Sequence, residues 1–135
     1  MSIVIHHNPD CGTSRNTLQM IREAGEEPVV IEYLDTGWTR PQLQALFAAA
    51  DLTPREALRE TKSPAEELGL LQDGVNDETV LDAMLDHPVL VNRPIVCSPK
   101  GVRLCRPSEV VLELLPEGAL ESFKKEDGKR VGPTT

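Results

Sequence analysis

An α/β fold of the order β-α-β, a block of short helices, then β-β-α is what this sequence predicts, and three observations carry the prediction. A short β-branched run, SIVIH at 2–6, is followed by a turn, a helical pattern and a second apolar run, VVIEYL at 29–34. From Thr39 to about His87 the apolar residues recur at helical spacing behind Pro, Thr and Asn start signals. Two further runs joined at SPKG occupy 94–105, and a last helical pattern opens at Pro107.

Each element has a local reason. After the turn NPDCG, Thr13 or Ser14 is available as a helix cap, and Leu18, Met20, Ile21 and Ala24 form the apolar face until AGEEP ends the helix. VVIEYL then reads as the second strand. The helical insertion, 39–87, contains RPQLQALFAAA with Pro41 in a first turn, TPREALRE with a Thr53 cap, and NDETVLDAMLDH capped by Asn76 or Asp77. In PIVCSPKGVRLC, Pro99 stands at the turn position that proline favours. The helix PSEVVLELL begins at Pro107, with Pro107 or Ser108 near its cap. The tail, 124–135, is charged and punctuated by Gly and Pro, and is expected to be loose. The element order is that of a thioredoxin-like fold in a single domain, 1–135, with the insertion between its halves.

Composition narrows the function. At 135 residues and 39% hydrophobic content the chain can bury a core. One Trp, one Tyr and two Phe leave few rings for stacking bases, and a formal charge of −8 opposes phosphate binding, so nucleic acid is not an expected partner. MSIVIHHNP is too short an apolar run for a signal segment, and no stretch approaches the roughly 20 apolar residues of a membrane span. A soluble, cytoplasmic protein without a membrane partner is expected. Cys11, Cys97 and Cys105 form neither CxxC nor a zinc spacing, which predicts reduced thiols. His6 and His7 are adjacent on a strand end, where neighbours point to opposite faces, so no metal site is expected.

The chemistry concentrates in HHNPDCGTSRNT, 6–17. A thiol becomes a nucleophile by losing its proton, and the N–H groups and positive dipole end of a helix N-terminus stabilise the thiolate. Cys11 is placed there. Gly12, Thr13, Ser14 and Arg15 supply accessible N–H groups, hydroxyls and a guanidinium, which together suit an oxyanion. No large apolar neighbour stands beside the sulfur to make it a packing residue. The loop is neither a Walker A sequence nor a Cys-x5-Arg phosphatase loop, since Arg15 follows Cys11 by four. The clamping charges must come from elsewhere, and Arg59, Arg93 and Arg106 are the candidates: one in the insertion and two before prolines at strand boundaries. Thioredoxin-like folds place a cis proline beside the reactive thiol, so Pro94 is expected to be cis. With Cys97 opposite Val102 in the hairpin, Cys105 falls on the other face, and a Cys97–Cys105 disulfide is not expected.

HNPDCGTSRNT at 7–17, HPVLVNRPIV at 87–96 and RLCRPSEVV at 103–111 resemble the signature stretches of the glutathione/glutaredoxin-coupled arsenate reductases, over nearly the whole chain to about 124–129. The resemblance implies that Cys11 is the catalytic cysteine, whose thiolate attacks arsenate to give a thiol-arsenate adduct. It implies that Arg59, Arg93 and Arg106 bind the oxyanion, and that His7 and Ser14 help keep the thiol ionised. Glutathione would act as co-substrate and attack the adduct, glutaredoxin would remove the mixed disulfide, and arsenite would leave. No bound cofactor is implied.

Two other classes remain open at this level. One is a thioredoxin-fold regulator of the Spx type that binds a protein partner, which has no need of three converging guanidiniums. The other is a glutathione-dependent thiol transferase, which would turn over mixed disulfides without an oxyanion.

Overall fold

In the computed structural model, which describes residues 2–120 and 123–131, the chain forms two compact units: residues 33–92, and the segments on either side of them. The flanking segments build a four-stranded sheet in the order β2-β1-β3-β4 from β1 (Val4–His6), β2 (Val29–Ile31), β3 (Ile95–Ser98) and β4 (Gly101–Leu104). β1 and β2 are parallel, a pairing that needs a crossover, and α1 (Gly12–Glu23) supplies it. β3 runs antiparallel to both β1 and β4. Pro99 and Lys100 make the two-residue turn between β3 and β4, and Cys97 pairs with Val102. This is the thioredoxin-like α/β arrangement expected from the element order.

The core of this unit gathers Ile3, Ile5 and Val96 from the sheet region, Met20 and Ile21 from α1, and Val111, Leu114 and Leu115 from the segment after β4. α1 ends in a Schellman arrangement: Gly25, at φ 88°, donates to the Arg22 carbonyl and Glu26 donates to the Ile21 carbonyl. The last helix differs from expectation, because Ser108–Leu114 is a 3-10 helix. Its buried residues, Ser108, Val111 and Leu114, recur every third position, so three residues per turn align them on the core where an α-helix would splay them. The second strand also differs, since it stops at Ile31 and Tyr33–Thr36 forms α2. Tyr33 is buried and stacks on Trp38 with ring centroids 5.0 Å apart, a packing contact that overrides the apolar run.

The unit 33–92 extends beyond the 39–87 insertion read from the pattern. α3 (Arg40–Ala50) opens on a capping box in which Thr39 and Gln42 exchange hydrogen bonds, and α4 (Asp77–Asp86) is capped by Asn76, not Asp77. TPREALRE departs from expectation in an instructive way. Thr53 and Glu56 do exchange the capping-box hydrogen bonds, at 2.9 and 3.1 Å, yet only turns follow. Leu58 instead bridges to Val91, the Arg59 N–H donates to the Leu90 carbonyl at 2.8 Å, and the Asn92 N–H donates to the Ala57 carbonyl at 2.8 Å. A local start signal thus yields to pairing with a distant segment.

The tail read as loose carries a small hairpin, β5 (Phe123–Lys124) with β6 (Arg130–Val131), while 132–135 lie outside the described residues. Among the described residues no helix is long and apolar enough to cross a membrane.

His6 closes β1, and burial pushes its pKa from 6.5 down to about 4. Its folded pKa lies below the unfolded one, so the contribution is fully present above pH 6.5 and is lost as pH falls towards 4. Between pH 8 and pH 5 this group alone should remove on the order of 2 kcal/mol, read from urea unfolding free energies. His6→Gln should flatten that part of the profile.

Candidate active site

Cys11 is the N-cap of α1, in extended conformation and without a side-chain capping bond. The helix therefore starts at Gly12, ahead of the Thr13 or Ser14 caps expected from the sequence, and the sulfur faces the free N–H groups that a capping oxygen would otherwise occupy. Local turns set it there. The Asp10 N–H donates to Asn8 Oδ1 at 2.9 Å, the Cys11 N–H donates to the Asn8 carbonyl at 3.1 Å, and the Arg15 N–H closes the first helical turn on the Cys11 carbonyl at 2.9 Å. A Cβ at Gly12 would meet Arg15 Nη2 at 3.7 Å, an ordinary contact, so packing alone does not demand glycine. The Thr13 carbonyl accepts from the Thr17 hydroxyl at 2.8 Å within the helix.

His7 and Ser14 are buried and act on each other. His7 Nδ1 and Ser14 Oγ are hydrogen-bonded at 2.6 Å, and the Asn8 N–H donates to Ser14 Oγ at 3.1 Å. Burial lowers the His7 pKa, with the Arg22 and Arg15 charges acting in the same direction against Glu32, so the ring is favoured neutral and brings no cation to the thiol. The Ser14 hydroxyl is likewise committed to the loop. What Ser14 gives the sulfur is its backbone N–H. Both residues hold the loop's shape, and the thiolate is served through the main chain.

The opposing side of the sulfur comes from the far half of the chain. Arg93 precedes β3 by two residues, with Pro94 between, and Arg106 follows β4 by two residues. Arg106 Nη1 donates to Cys11 Sγ at 3.8 Å and to the Arg93 carbonyl at 3.1 Å, and the Arg93 side chain also hydrogen-bonds the sulfur. The Cys105 N–H donates to the Pro94 carbonyl at 2.8 Å, which ties the two strand ends together. Burial is the largest single influence on the Cys11 thiol and resists ionisation. The Ser14 N–H, the Arg93 charge and the hydrogen bonds from Arg93 and Arg106 together outweigh it, and the pKa falls below the ordinary thiol value.

Pro94 is cis, as expected, and the Arg106–Pro107 bond is cis as well, which the sequence reading missed. Arg15 does not join the sulfur-facing set. Its Nε and Nη2 donate to Glu126, both at 2.9 Å, and its Nη1 donates to the Pro9 carbonyl at 2.8 Å. Arg59 belongs to the unit 33–92, where its Nε donates to the Thr61 carbonyl at 3.0 Å. Asn8 and Glu126 were missed. The Asn-Pro-Asp sequence is a turn signal from which the Asn8 hydrogen bonds were readable, whereas nothing local to Glu126 points 111 residues back to Arg15.

Cys97 and Cys105 are free, and burial pushes their thiols up, Cys105 to about 12. Iodoacetamide should therefore modify Cys11 at lower pH than either of them, as followed by peptide mass spectrometry. Arg93→Met should move the Cys11 midpoint upward; an unchanged midpoint would remove Arg93 from the sulfur's surroundings.

With this geometry in place, the chain's likenesses acquire meaning. Residues 6–114 match the ArsC family, a span that includes the thiol loop and both arginine-proline strand ends. A Synechocystis protein named arsenate reductase ArsI2 is 67% identical over 129 residues, covering 96% of this chain and 92% of its own length. The Escherichia coli K12 arsenate reductase is 55% identical over 130 residues, covering 96% of this chain and 92% of its own. A solved arsenate reductase from Vibrio cholerae superposes with a TM-score of 0.80 at 39% identity, covering 85% of this chain and 98% of that one. Since these likenesses run through every segment that surrounds the sulfur, the chain belongs to the ArsC family.

Proposed function

We propose that this protein is an arsenate reductase with Cys11 as its nucleophile. The observation that carries the reading is a thiol of lowered pKa at a helix N-terminus with Arg106 Nη1 3.8 Å from the sulfur and Arg93 bonded to it. Relatives that bear the name arsenate reductase at 55–67% identity over nearly the full chain support it.

The residues divide the work by charge. Arsenate is a tetrahedral oxyanion, and the guanidiniums of Arg93 and Arg106 offer forked donors to its oxygens while neutralising them for the approach of a thiolate. We assign Arg59 to the same oxyanion as a third guanidinium. The Cys11 sulfur forms a bond to arsenic and one oxygen leaves as water, so the adduct is still arsenic(V). Reduction to arsenic(III) takes two electrons, which come from two sulfurs as they join in a disulfide. Cys11 supplies one sulfur. Cys97 lies in the β3–β4 hairpin opposite Val102, and Cys105 is fully buried, so neither offers itself as the second. Glutathione is the external thiol, and glutaredoxin returns Cys11 to the thiol form. Because sulfur carries the electrons, the reaction as written uses no bound cofactor, and it belongs in a reducing compartment such as the cytoplasm.

The test couples arsenate, glutathione, glutaredoxin and glutathione reductase to NADPH loss. Consumption should require arsenate and vanish in Cys11→Ser, a nearly isosteric change. Arg93→Lys should lower kcat/KM on the order of 10²-fold although the charge is kept, because lysine lacks the fork. Arg59→Lys should do the same if Arg59 holds the oxyanion. NADPH loss on mixed disulfides with none on arsenate would overturn the reading in favour of a thiol transferase.

A further inference from the structure

Two adjacent residues of opposite charge, Lys125 and Glu126, sit in the turn between β5 and β6 and reach the two segments that flank the sulfur. Glu126 takes the Arg15 guanidinium in a two-pronged ion pair, both distances 2.9 Å, and its backbone N–H donates to Asn16 Oδ1 at 3.0 Å. Lys125 Nζ donates to Glu109 Oε1 at 2.7 Å, and the same oxygen accepts from the Ser108 hydroxyl at 3.1 Å. Arg15 and Asn16 follow Cys11 closely on α1, and Ser108 and Glu109 follow Arg106. The turn that joins the two contacts is itself closed: the Gly128 N–H donates to the Lys125 carbonyl at 2.9 Å, and the Lys125 N–H donates to the Lys129 carbonyl at 2.8 Å.

We propose that Lys125 and Glu126 are positioning residues that brace the Cys11 loop against the Arg106 segment and so hold the guanidiniums on the sulfur. The proposal rests on the reading of Cys11 as the reactive thiol. Without the turn, those two segments meet through the sheet and core and through the Arg106 hydrogen bond to the Cys11 sulfur itself, since β1 and β4 are separated by β3. The brace adds a connection that holds both segments from one turn, 111 residues after Arg15 and 16 after Glu109. A bidentate carboxylate fixes direction as well as distance, which suits the Arg15 contact to this task. Glu109 is held ionised in the opposite contact: burial works against it, but the hydrogen bonds from Lys125, its own backbone and Ser108 prevail. It also explains why Arg15, in the loop nearest the thiol, is kept from the oxyanion: its donors are spent on Glu126 and on the Pro9 carbonyl.

The groups that act on the Cys11 sulfur are the Ser14 N–H and, from the strand ends, Arg93 and Arg106; the other titratable groups of its loop are His7, Asp10 and Arg15, of which Arg15 and Cys11 also feel each other's charge. Loosening the brace lets the two strand-end guanidiniums drift from the sulfur, so Glu126→Gln should raise the pH midpoint of Cys11 alkylation. Removing a carboxylate near a thiol has the opposite direct effect by Coulomb's law, so an upward shift isolates the positional one. Lys125→Met should move the midpoint the same way, and each variant should lower kcat/KM for arsenate about three- to fivefold, in keeping with one half-exposed and one partly buried ion pair. The reversed pair, Arg15→Glu with Glu126→Arg, should recover at least half of the loss seen in Arg15→Glu alone. A lowered melting temperature with the wild-type alkylation midpoint would overturn the proposal and leave a purely structural hairpin, as would an unchanged or lowered midpoint with wild-type kinetics. Alkylation needs no arsenate, so a failed coupled assay with a shifted midpoint sinks the reductase reading and leaves the brace standing.

Discussion

A thiol withdrawn from water holds its proton more tightly unless donors replace the water it has lost. Everything around Cys11 answers that constraint. The helix N-terminus offers N–H groups that have no partner within the helix, and two guanidiniums approach from the other side. Together they outweigh burial, and the same donors surround the sulfur. On the proposed reading, activation of the nucleophile and recognition of its target are one arrangement.

The fold supplies this arrangement through the order of its strands. β1 and β3 are neighbours in the sheet although about 90 residues separate them in sequence, so the loop after β1 and the arginine before β3 meet at one end of the pair. The short β3–β4 hairpin returns Arg106 to the same end, and the Cys105 N–H on the Pro94 carbonyl keeps the two strand ends in step. α1 is held against this sheet by Met20 and Ile21, which share a core with Ile5, Val96 and Val111. A loss of packing there would be felt at the sulfur, because the helix that carries the thiol is anchored by those contacts.

Much of this was legible in the residues. Strand runs, caps and turn chemistry marked β1, α1, β3 and β4, because each is decided by neighbours within a few positions: Thr39 with Gln42, Asn76 ahead of α4, Pro99 in its turn. Cys11, Arg93 and Arg106 were also readable, since Gly, Ser and Pro beside them are poor packing residues and good loop residues. The misses share one cause. VVIEYL ends early because Tyr33 stacks on Trp38, TPREALRE stops as turns because Leu58 pairs with Val91, and the final helix tightens to 3-10 because its buried residues recur every third position. In each case burial or pairing with the rest of the fold outbid the local preference that the pattern expressed.

The sequence by itself determined the element order, the placement of a thiol ahead of a helix, and the pairing of arginine with proline at two strand ends. These follow from backbone sterics and side-chain chemistry that act over one or two turns. Only the tertiary structure decided which polar residues serve the sulfur. It turned His7 and Ser14 towards each other, gave Arg15 to Glu126, and left the Ser14 N–H with Arg93 and Arg106 around the thiol. The physical reason is competition: a charged or hydroxyl side chain goes to the strongest partner within reach, and reach is set by the fold, whereas a main-chain N–H at a helix start is set by the helix itself.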